Sequence, residues 1–427
     1  MQISTVYSVI KAHYNRCQEL IFALLLLTLC MLMPYASHAQ YIGEDVLRGE
    51  KSVSVPFSNI GGFIVVKLNY NGIIPLNFIF DTGASNTILF DRTYADIFNT
   101  AYTDTIEVIG ADIIGGLDGY VARQGTFTIA NAGINVDRDY IVLSEDIIRL
   151  EESLGVPIHG ILGSNFFRRL TLKINYVKRT ITLYNPSKYN TPAKYEKIDS
   201  EVVNGKPYIN TNITTDSTSA TIQVLLDTGA DVSTILHSNV SNSVTIPQNS
   251  VPGYLGTGLS GHIVGYIGRL ESLSIGSNTF SQLIANYQEI EIDSLSPPSA
   301  SRAGIIGNTI LSRFHIIIDF IKGEVYLKPN KYARTKFKTD KSGLVLNAFG
   351  ENLNLFVVHY VYPNSAAHTA GIRRGDIIEK VGRYKSKSLT LNKIMKKFQR
   401  KPGKTIRLTL LRNGSSFTTR LILKELI

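Results

Sequence analysis

Phe78-Ile79-Phe80-Asp81-Thr82-Gly83-Ala84 is an apolar run that ends on a carboxylate, a hydroxyl and a glycine. At an offset of 146 residues, Val224-Leu225-Leu226-Asp227-Thr228-Gly229-Ala230 repeats it. Two further echoes keep the same order. Gly160-Ile161-Leu162-Gly163 recurs as Gly304-Ile305-Ile306-Gly307 at an offset of 144, and Gly116-Leu117-Asp118-Gly119 as Gly258-Leu259-Ser260-Gly261 at 142. From the second echo, the windows 160–186 and 304–330 align without a gap and share seven identities: Gly160/Gly304, Ile161/Ile305, Gly163/Gly307, Arg169/Arg313, Ile174/Ile318, Lys178/Lys322 and Leu183/Leu327. Ordered motifs at nearly constant offset mark a duplicated lobe of about 140 residues.

Each lobe reads mostly as strands. Gly62 to Tyr70 is an apolar run, Asn71-Gly72 is a hairpin signal, and Leu76 to Phe80 follows. The second lobe offers Asn204-Gly205, then Tyr208 to Ile213 and Ile222 to Leu226. Short helices are expected at Ser164 to Arg169 and Asn308 to Arg313. Strand pairs should follow at Leu172–Tyr176 with Thr180–Tyr184, and at His315–Phe320 with Glu324–Leu327.

An Asp-Thr-Gly at the end of a buried strand sets a carboxylate on an apolar floor. Gly83 and Gly229 permit a tight turn and keep the approach to the carboxylates open. Thr82 and Thr228 offer hydroxyls that can bond across to the opposite loop. If the lobes pack about a pseudo-twofold axis, Asp81 and Asp227 meet. Two touching carboxylates cannot both ionise easily, so they share a proton. The ionised one can activate water while the protonated one polarises a peptide carbonyl.

These motifs resemble the retropepsin-like and pepsin-like aspartic proteases, whose pattern is apolar-apolar-Asp-Thr-Gly-Ala/Ser with a downstream apolar-apolar-Gly. The resemblance covers roughly residues 50 to 335. It implies a mainly β fold of two pseudo-symmetric acid-protease lobes, Asp81 and Asp227 as the catalytic pair, and Thr82, Gly83, Ala84, Thr228, Gly229 and Ala230 as their supporting loops. It also implies that the segments ending at Gly163 and Gly307 brace those loops, and that β-hairpin flaps close over the substrate. Gly116-Leu117-Asp118-Gly119-Tyr120 and Gly258-Leu259-Ser260-Gly261 look like flap tips, although ordinary hairpin turns fit them as well. With both lobes on one chain, a monomer should suffice for activity. Many acid-active relatives carry Ser or Thr where Ala84 and Ala230 stand, so a less acidic working range is expected here.

A separate α+β unit is expected from about residue 341 onwards. Pro363-Asn364-Ser365-Ala366-Ala367-His368-Thr369-Ala370-Gly371-Ile372-Arg373-Arg374-Gly375-Asp376-Ile377-Ile378 resembles the PDZ domains attached to bacterial proteases. Leu391, Ile394, Met395 and Phe398 recur at helical spacing, and Thr405–Leu411 and Phe417–Leu423 flank the turn Arg412-Asn413-Gly414. The resemblance implies peptide binding by strand addition, with Gly343, Leu344, Val345 and Leu346 where the carboxylate loop begins. Val345 departs from the small residue usual there. Asp376 reads as structural.

The predicted organisation is thus a signal peptide at 1–39, an N-terminal lobe at 40–190, a C-terminal lobe at 191–335 and a PDZ unit at 341–427. Lys11 and Arg16 precede a 14-residue apolar core, Leu20 to Met33, and Ser37-His38-Ala39 supplies a cleavage site. Export to a periplasmic or extracellular space of a bacterial cell follows, with membrane attachment only if this segment is retained. Both cysteines, Cys17 and Cys30, fall inside it, so the mature chain would hold no disulfide or cysteine-ligated metal. The eight histidines lack ligand spacing, and neither metal nor cofactor is expected.

The net charge of +10 concentrates at the end, where residues 341–427 carry 17 Lys+Arg against 4 Asp+Glu. Without aromatic platforms or Gly-rich basic runs, that patch reads as solvated surface and not as a nucleic-acid site. Two functions remain to be separated. One is an endopeptidase acting on peptide or protein substrates, with a PDZ unit that recruits substrate or partner. The other is a catalytically silent peptide-binding protein with an adaptor role. Both Asp-Thr-Gly-Ala motifs are intact, which favours the enzyme.

Overall fold

The computed structural model describes residues 47, 50–110, 116–129, 134–144, 149–215, 218–240, 243–258, 261–290 and 302–427. The predicted signal segment lies outside them. Residues from Ile42 onwards form one compact unit. Among the described residues no helix is long and apolar enough to cross a membrane.

The chain is mainly β, and the duplication is visible in its sheets. The first lobe holds eight strands in the spatial order Ser58–Ile60, Phe63–Tyr70, Ile74–Phe80, Gly160–Leu162, Ile88–Leu89, Ile134–Leu143, Gly116–Ile129, Tyr102–Ile109. The second lobe repeats that order with Ser200–Val203, Lys206–Thr215, Thr218–Leu226, Gly304–Ile306, Thr234–His237, Asn278–Gln288, Gly261–Ile275, Val251–Gly258. The hairpin signals act as expected. Asn71 and Gly72 take φ of 47° and 74°, and Asn204 and Gly205 take 53° and 74°, the left-handed pair that a two-residue turn between twisted strands requires.

The strand pairs after each Gly-apolar-apolar-Gly form, and they also join one another. Thr171–Asn175 runs antiparallel to Phe314–Asp319, with Leu172 opposite Ile318 and Ile174 opposite Ile316. The resulting six-stranded sheet runs Ser52–Pro56, Thr180–Tyr184, Thr171–Asn175, Phe314–Asp319, Glu324–Pro329, Glu196–Ile198, so both lobes share one floor. A single core extends through it, with Leu172, Ile174, Ile316 and Ile318 fully buried. The two expected helices shrink to a 3-10 turn at Ser164–Phe166 and one helical turn at Asn308–Leu311.

The C-terminal residues build a sheet in the order Leu344–Phe349, Leu355–Val361, Ile377–Val381, Thr405–Arg412, Ser415–Ile422, with Tyr384–Lys385 beside the third strand. The helix Leu391–Phe398 buries Leu391, Ile394 and Phe398 on it, as their spacing demands. Asp376 is 1% exposed and receives both Nε and an Nη of Arg412 at 2.6 and 2.7 Å, so it is a structural anchor. This module packs on both lobes. The helix Leu150–Leu154 lies against Leu344–Phe349, and Tyr362 donates its hydroxyl to the Tyr254 carbonyl.

Candidate active site

Each Asp-Thr-Gly-Ala turn begins where a buried strand leaves its sheet. Ile74–Phe80 pairs in parallel with Gly160–Leu162, and Thr218–Leu226 with Gly304–Ile306. The last bond of each pairing fixes the aspartate itself. Asp81 N–H donates to Leu162 O at 3.1 Å, and Asp227 N–H to Ile306 O at 3.0 Å. Immediately beyond, Gly163 and Gly307 each pass against the aspartate turn of their own lobe. A Cβ at Gly163 would stand 2.2 Å from Asn86 O, and one at Gly307 would stand 2.6 Å from Ala230 O. Bulk there would push on the loops that carry the aspartates.

The two turns interlock. Thr82 and Thr228 are fully buried. Thr82 N–H donates to Thr228 Oγ1 and Thr228 N–H to Thr82 Oγ1, both at 3.0 Å. The hydroxyls then donate onward, Thr82 to Leu226 O at 2.7 Å and Thr228 to Phe80 O at 2.8 Å. Both amides and both hydroxyls of the crossing are therefore paired without water, as a buried network requires.

Above this crossing the Asp81 and Asp227 carboxyls are in hydrogen-bond contact. Each glycine of the motif faces the other lobe's carboxylate. A Cβ at Gly83 would stand 2.8 Å from Asp227 Cγ, and one at Gly229 would stand 2.3 Å from Asp81 Cγ. Backbone amides hold one oxygen of each carboxyl. Gly83 and Ala84 N–H donate to Asp81 Oδ1 at 2.6 and 3.1 Å, and Gly229 N–H donates to Asp227 Oδ1 at 2.7 Å.

Burial raises both carboxyls above the ordinary aspartate range, and Asp227 is raised far more because Asp81's charge adds to its burial. Asp227 is 2% exposed, whereas Asp81 is partly open to the cleft. The better-solvated carboxyl with more amide donors loses its proton first. That asymmetry favours ionisation at Asp81 over Asp227.

The cleft over this pair encloses about 1160 Å³ and opens between the lobes. The proposed flap residues flank it differently. Gly258 pairs with Gly261 in the second hairpin, and Leu259 and Ser260 lie outside the described residues. In the first lobe Gly116 pairs with Ile109, Leu117 with Val108, Asp118 with Glu107 and Gly119 with Ile106. Gly116 to Tyr120 are therefore strand and not a hairpin tip. The glycine serves a close crossing instead: a Cβ at Gly119 would lie 2.6 Å from Ile141 Cγ2 and 3.1 Å from Val108 Cγ2.

Of the proposed peptide-binding positions of the C-terminal module, Leu344, Val345 and Leu346 line the same cleft, but the amides at the start of the loop are engaged. Gly343 N–H donates to Asp340 Oδ1 at 2.9 Å, and Leu344 N–H to Ser342 Oγ at 3.1 Å. Leu344 and Leu346 belong to the module's core, while Val345 faces outward. Sequence reasoning passed over the aromatic seam beside them. Tyr254 and His262 of the second hairpin meet His359 at ring-centroid distances of 5.4 and 4.9 Å. Scattered aromatics have no period or motif, so nothing in the sequence singles them out.

Residues 66–166 and 212–310 each match the family model described as aspartyl protease. The first segment contains Asp81 and Gly163, and the second Asp227 and Gly307. No curated protein matches the chain.

Proposed function

We propose, from the two segments that match the aspartyl protease model, that the protein is an exported aspartic endopeptidase with a single intramolecular dyad. The observation that carries this reading is the contact of the Asp81 and Asp227 carboxyls over the threonine crossing. Asp81, ionised, takes a proton from a water molecule as that water's oxygen attacks the peptide carbonyl carbon. Asp227 gives its proton to the carbonyl oxygen, and a gem-diol forms. Its collapse breaks the C–N bond, the amine leaves with a proton from Asp81, and Asp227 regains one from the diol. Both aspartates sit on one chain, so a monomer is sufficient. Export rests on the charged, apolar and small-residue order of residues 1–39.

The C-terminal module is read as a PDZ-like domain. Its strand Leu344–Phe349 ends the module's sheet and lies beside the helix Leu391–Phe398, which is the setting for strand addition by an extended peptide. The first lobe already leans on that groove through Leu150–Leu154, with Gly155 against Leu391. A peptide entering it competes with the first lobe, which couples recruitment to the cleft. With the Gly343 and Leu344 amides engaged, an internal extended segment suits the groove better than a free carboxylate. The test is cleavage of an unstructured protein such as casein. The native chain should cut it, and Asp81→Asn and Asp227→Asn should each abolish cutting. Robust cleavage by either variant would sink the dyad.

A further inference from the structure

The lobes repeat each other in backbone but not in the charges they show the cleft. Strand register aligns them residue by residue. Val65 stands opposite Ile79, and Tyr208 opposite Leu225, each partner two residues ahead of its aspartate. Phe63 in the first lobe therefore corresponds to Lys206 in the second, and, counting beyond the aspartates, Ser85 corresponds to Asp231. All four residues line the cleft that contains the dyad.

The lobes cross so that these residues meet in unlike pairs. Gly62, next to Phe63, lies directly beneath the Asp231 side chain: a Cβ on it would come within 1.6 Å of Oδ1. Its φ of +95° already suits glycine, so the carboxyl rests on bare backbone. Gly205, next to Lys206, packs on Ser164, whose hydroxyl donates to Ser85 O at 3.4 Å. One end of the cleft thus joins Phe63 with Asp231, and the other joins Lys206 with Ser85. Arg302 adds positive charge near Lys206, at the place where the 144-residue offset puts Ile158 in the first lobe. Among the described residues neither the Asp231 nor the Lys206 side chain makes a hydrogen bond or close ion pair, and the Lys206 ammonium lies in the field of both dyad carboxyls and of Arg302.

A carboxyl on one side of the dyad and a cationic Lys206–Arg302 cluster on the other suit a ligand that carries both complements. We propose that the cleft selects substrates by charge order, seating a basic side chain on Asp231 at one side of the scissile bond and an acidic side chain beside Lys206 at the other. This rests on the endopeptidase reading. In a cleft walled by protein such pairs are screened far less than on an open surface.

The Asp231 carboxyl opens onto the cleft, and the surrounding protein pushes it up to about 8. The charged groups lining the cleft besides the dyad, Glu107, Arg179, Lys206, Arg302, Lys338 and Lys396, do not contribute to that shift. A raised carboxylate pKa means that charge appears as pH rises. The preference for a basic residue should therefore strengthen between roughly pH 6 and 9. Taking the ratio of two substrates at one pH cancels the titration of the dyad itself.

The experiment uses the full chain and matched peptides of one backbone sequence with Lys and Glu placed either side of the scissile bond, in both orders, together with a neutral Gln peptide. One order should be cleaved at least about tenfold faster in kcat/KM than its reverse. Asp231→Asn should erase the Lys contribution and its pH dependence while keeping the Glu contribution, and Lys206→Met should do the converse. Lys206→Glu, which keeps a charged side chain there, should turn the preference at that end from acidic to basic. Equal rates for both orders, or an Asp231→Asn chain that still prefers Lys, would overturn charge selection. If no peptide is cut, proteolysis fails as a reading, and the same orders are then compared by fluorescence anisotropy on the native chain. Unequal affinities there support charge selection, and equal affinities overturn it.

Discussion

Thr82 and Thr228 exchange hydrogen bonds across the lobe boundary, each hydroxyl accepting from the other's backbone N–H at 3.0 Å. Replacing either by Ala strands two buried backbone groups, one N–H and one carbonyl. We expect each variant to lose about 1–3 kcal/mol in urea unfolding. Because they share one network, the double variant should depart from additivity by about 0.5–3 kcal/mol. Thr→Ser at either site keeps the hydroxyl and should recover most of the loss. Strict additivity would mean that the crossing is not a unit.

The dyad allows activity and stability to be separated. Asp81→Asn and Asp227→Asn should each cost about 10²–10⁴-fold or more in kcat, the range that general acid–base catalysis supplies. Asp227→Asn should at the same time raise the melting temperature at neutral pH. A carboxyl raised by burial favours folding below the unfolded aspartate pKa, and that contribution is lost as pH rises through the folded value. Removing the titration removes the loss. Gly83→Ala and Gly229→Ala should lose activity as well, because each new methyl meets the opposite carboxylate.

Ala84 supplies its backbone N–H to Asp81 at 3.1 Å but has no hydroxyl to add. Ala84→Ser should favour the ionised Asp81 and move the acid limb of the pH–rate profile to lower pH. The native chain, with both carboxyls raised, should work at higher pH than that variant. A native optimum near pH 2 to 3, well below the ordinary aspartate value of roughly 3.9, would contradict this.

Tyr362 donates its hydroxyl to the Tyr254 carbonyl, and Gly253 lies beneath Tyr362, where a Cβ would be 2.8 Å from the ring. Tyr362→Phe should leave the module folded and loosen the second hairpin. Losing one such bond, about 1 kcal/mol, predicts roughly fivefold faster amide exchange over residues 251–266. Unchanged exchange there would mean that the module does not steady the hairpin.

Asp376→Ala leaves Arg412 without its carboxylate and also removes the acceptor of Arg373 N–H at 2.9 Å. With Asp376 buried and Arg412 partly open, a loss of about 1–3 kcal/mol is expected in the module. Peptide cleavage by the dyad should be affected much less.

The pair of Asp-Thr-Gly-Ala turns and their bracing segments were legible because a repeat exposes a pattern that a single copy hides. Register and hairpin turns were legible for a local reason, since Asn71-Gly72 and Asn204-Gly205 impose their own backbone geometry. Long-range partners were not. Nothing local says that Ile174 will face Ile316, that Leu150–Leu154 will rest on the C-terminal module, or that Asp231 will sit over Gly62. The first flap shows the same limit from the other side. Gly116 and Gly119 have turn-like composition, but Gly119 is small because Ile141 and Val108 leave no room beside it.

The shared six-stranded floor has a consequence for the order of events during folding. Ser52–Pro56 pairs with Thr180–Tyr184, and Thr171–Asn175 with Phe314–Asp319, so each contact waits for chain made more than a hundred residues later. Such remote pairings form slowly. Thr82 cannot complete its bonds until Thr228 exists, and Asp81 has no proton-sharing partner until Asp227 does. If the proposed function holds, a growing or half-folded chain therefore carries no complete dyad, and assembly of the site waits for the two lobes to close on their shared floor.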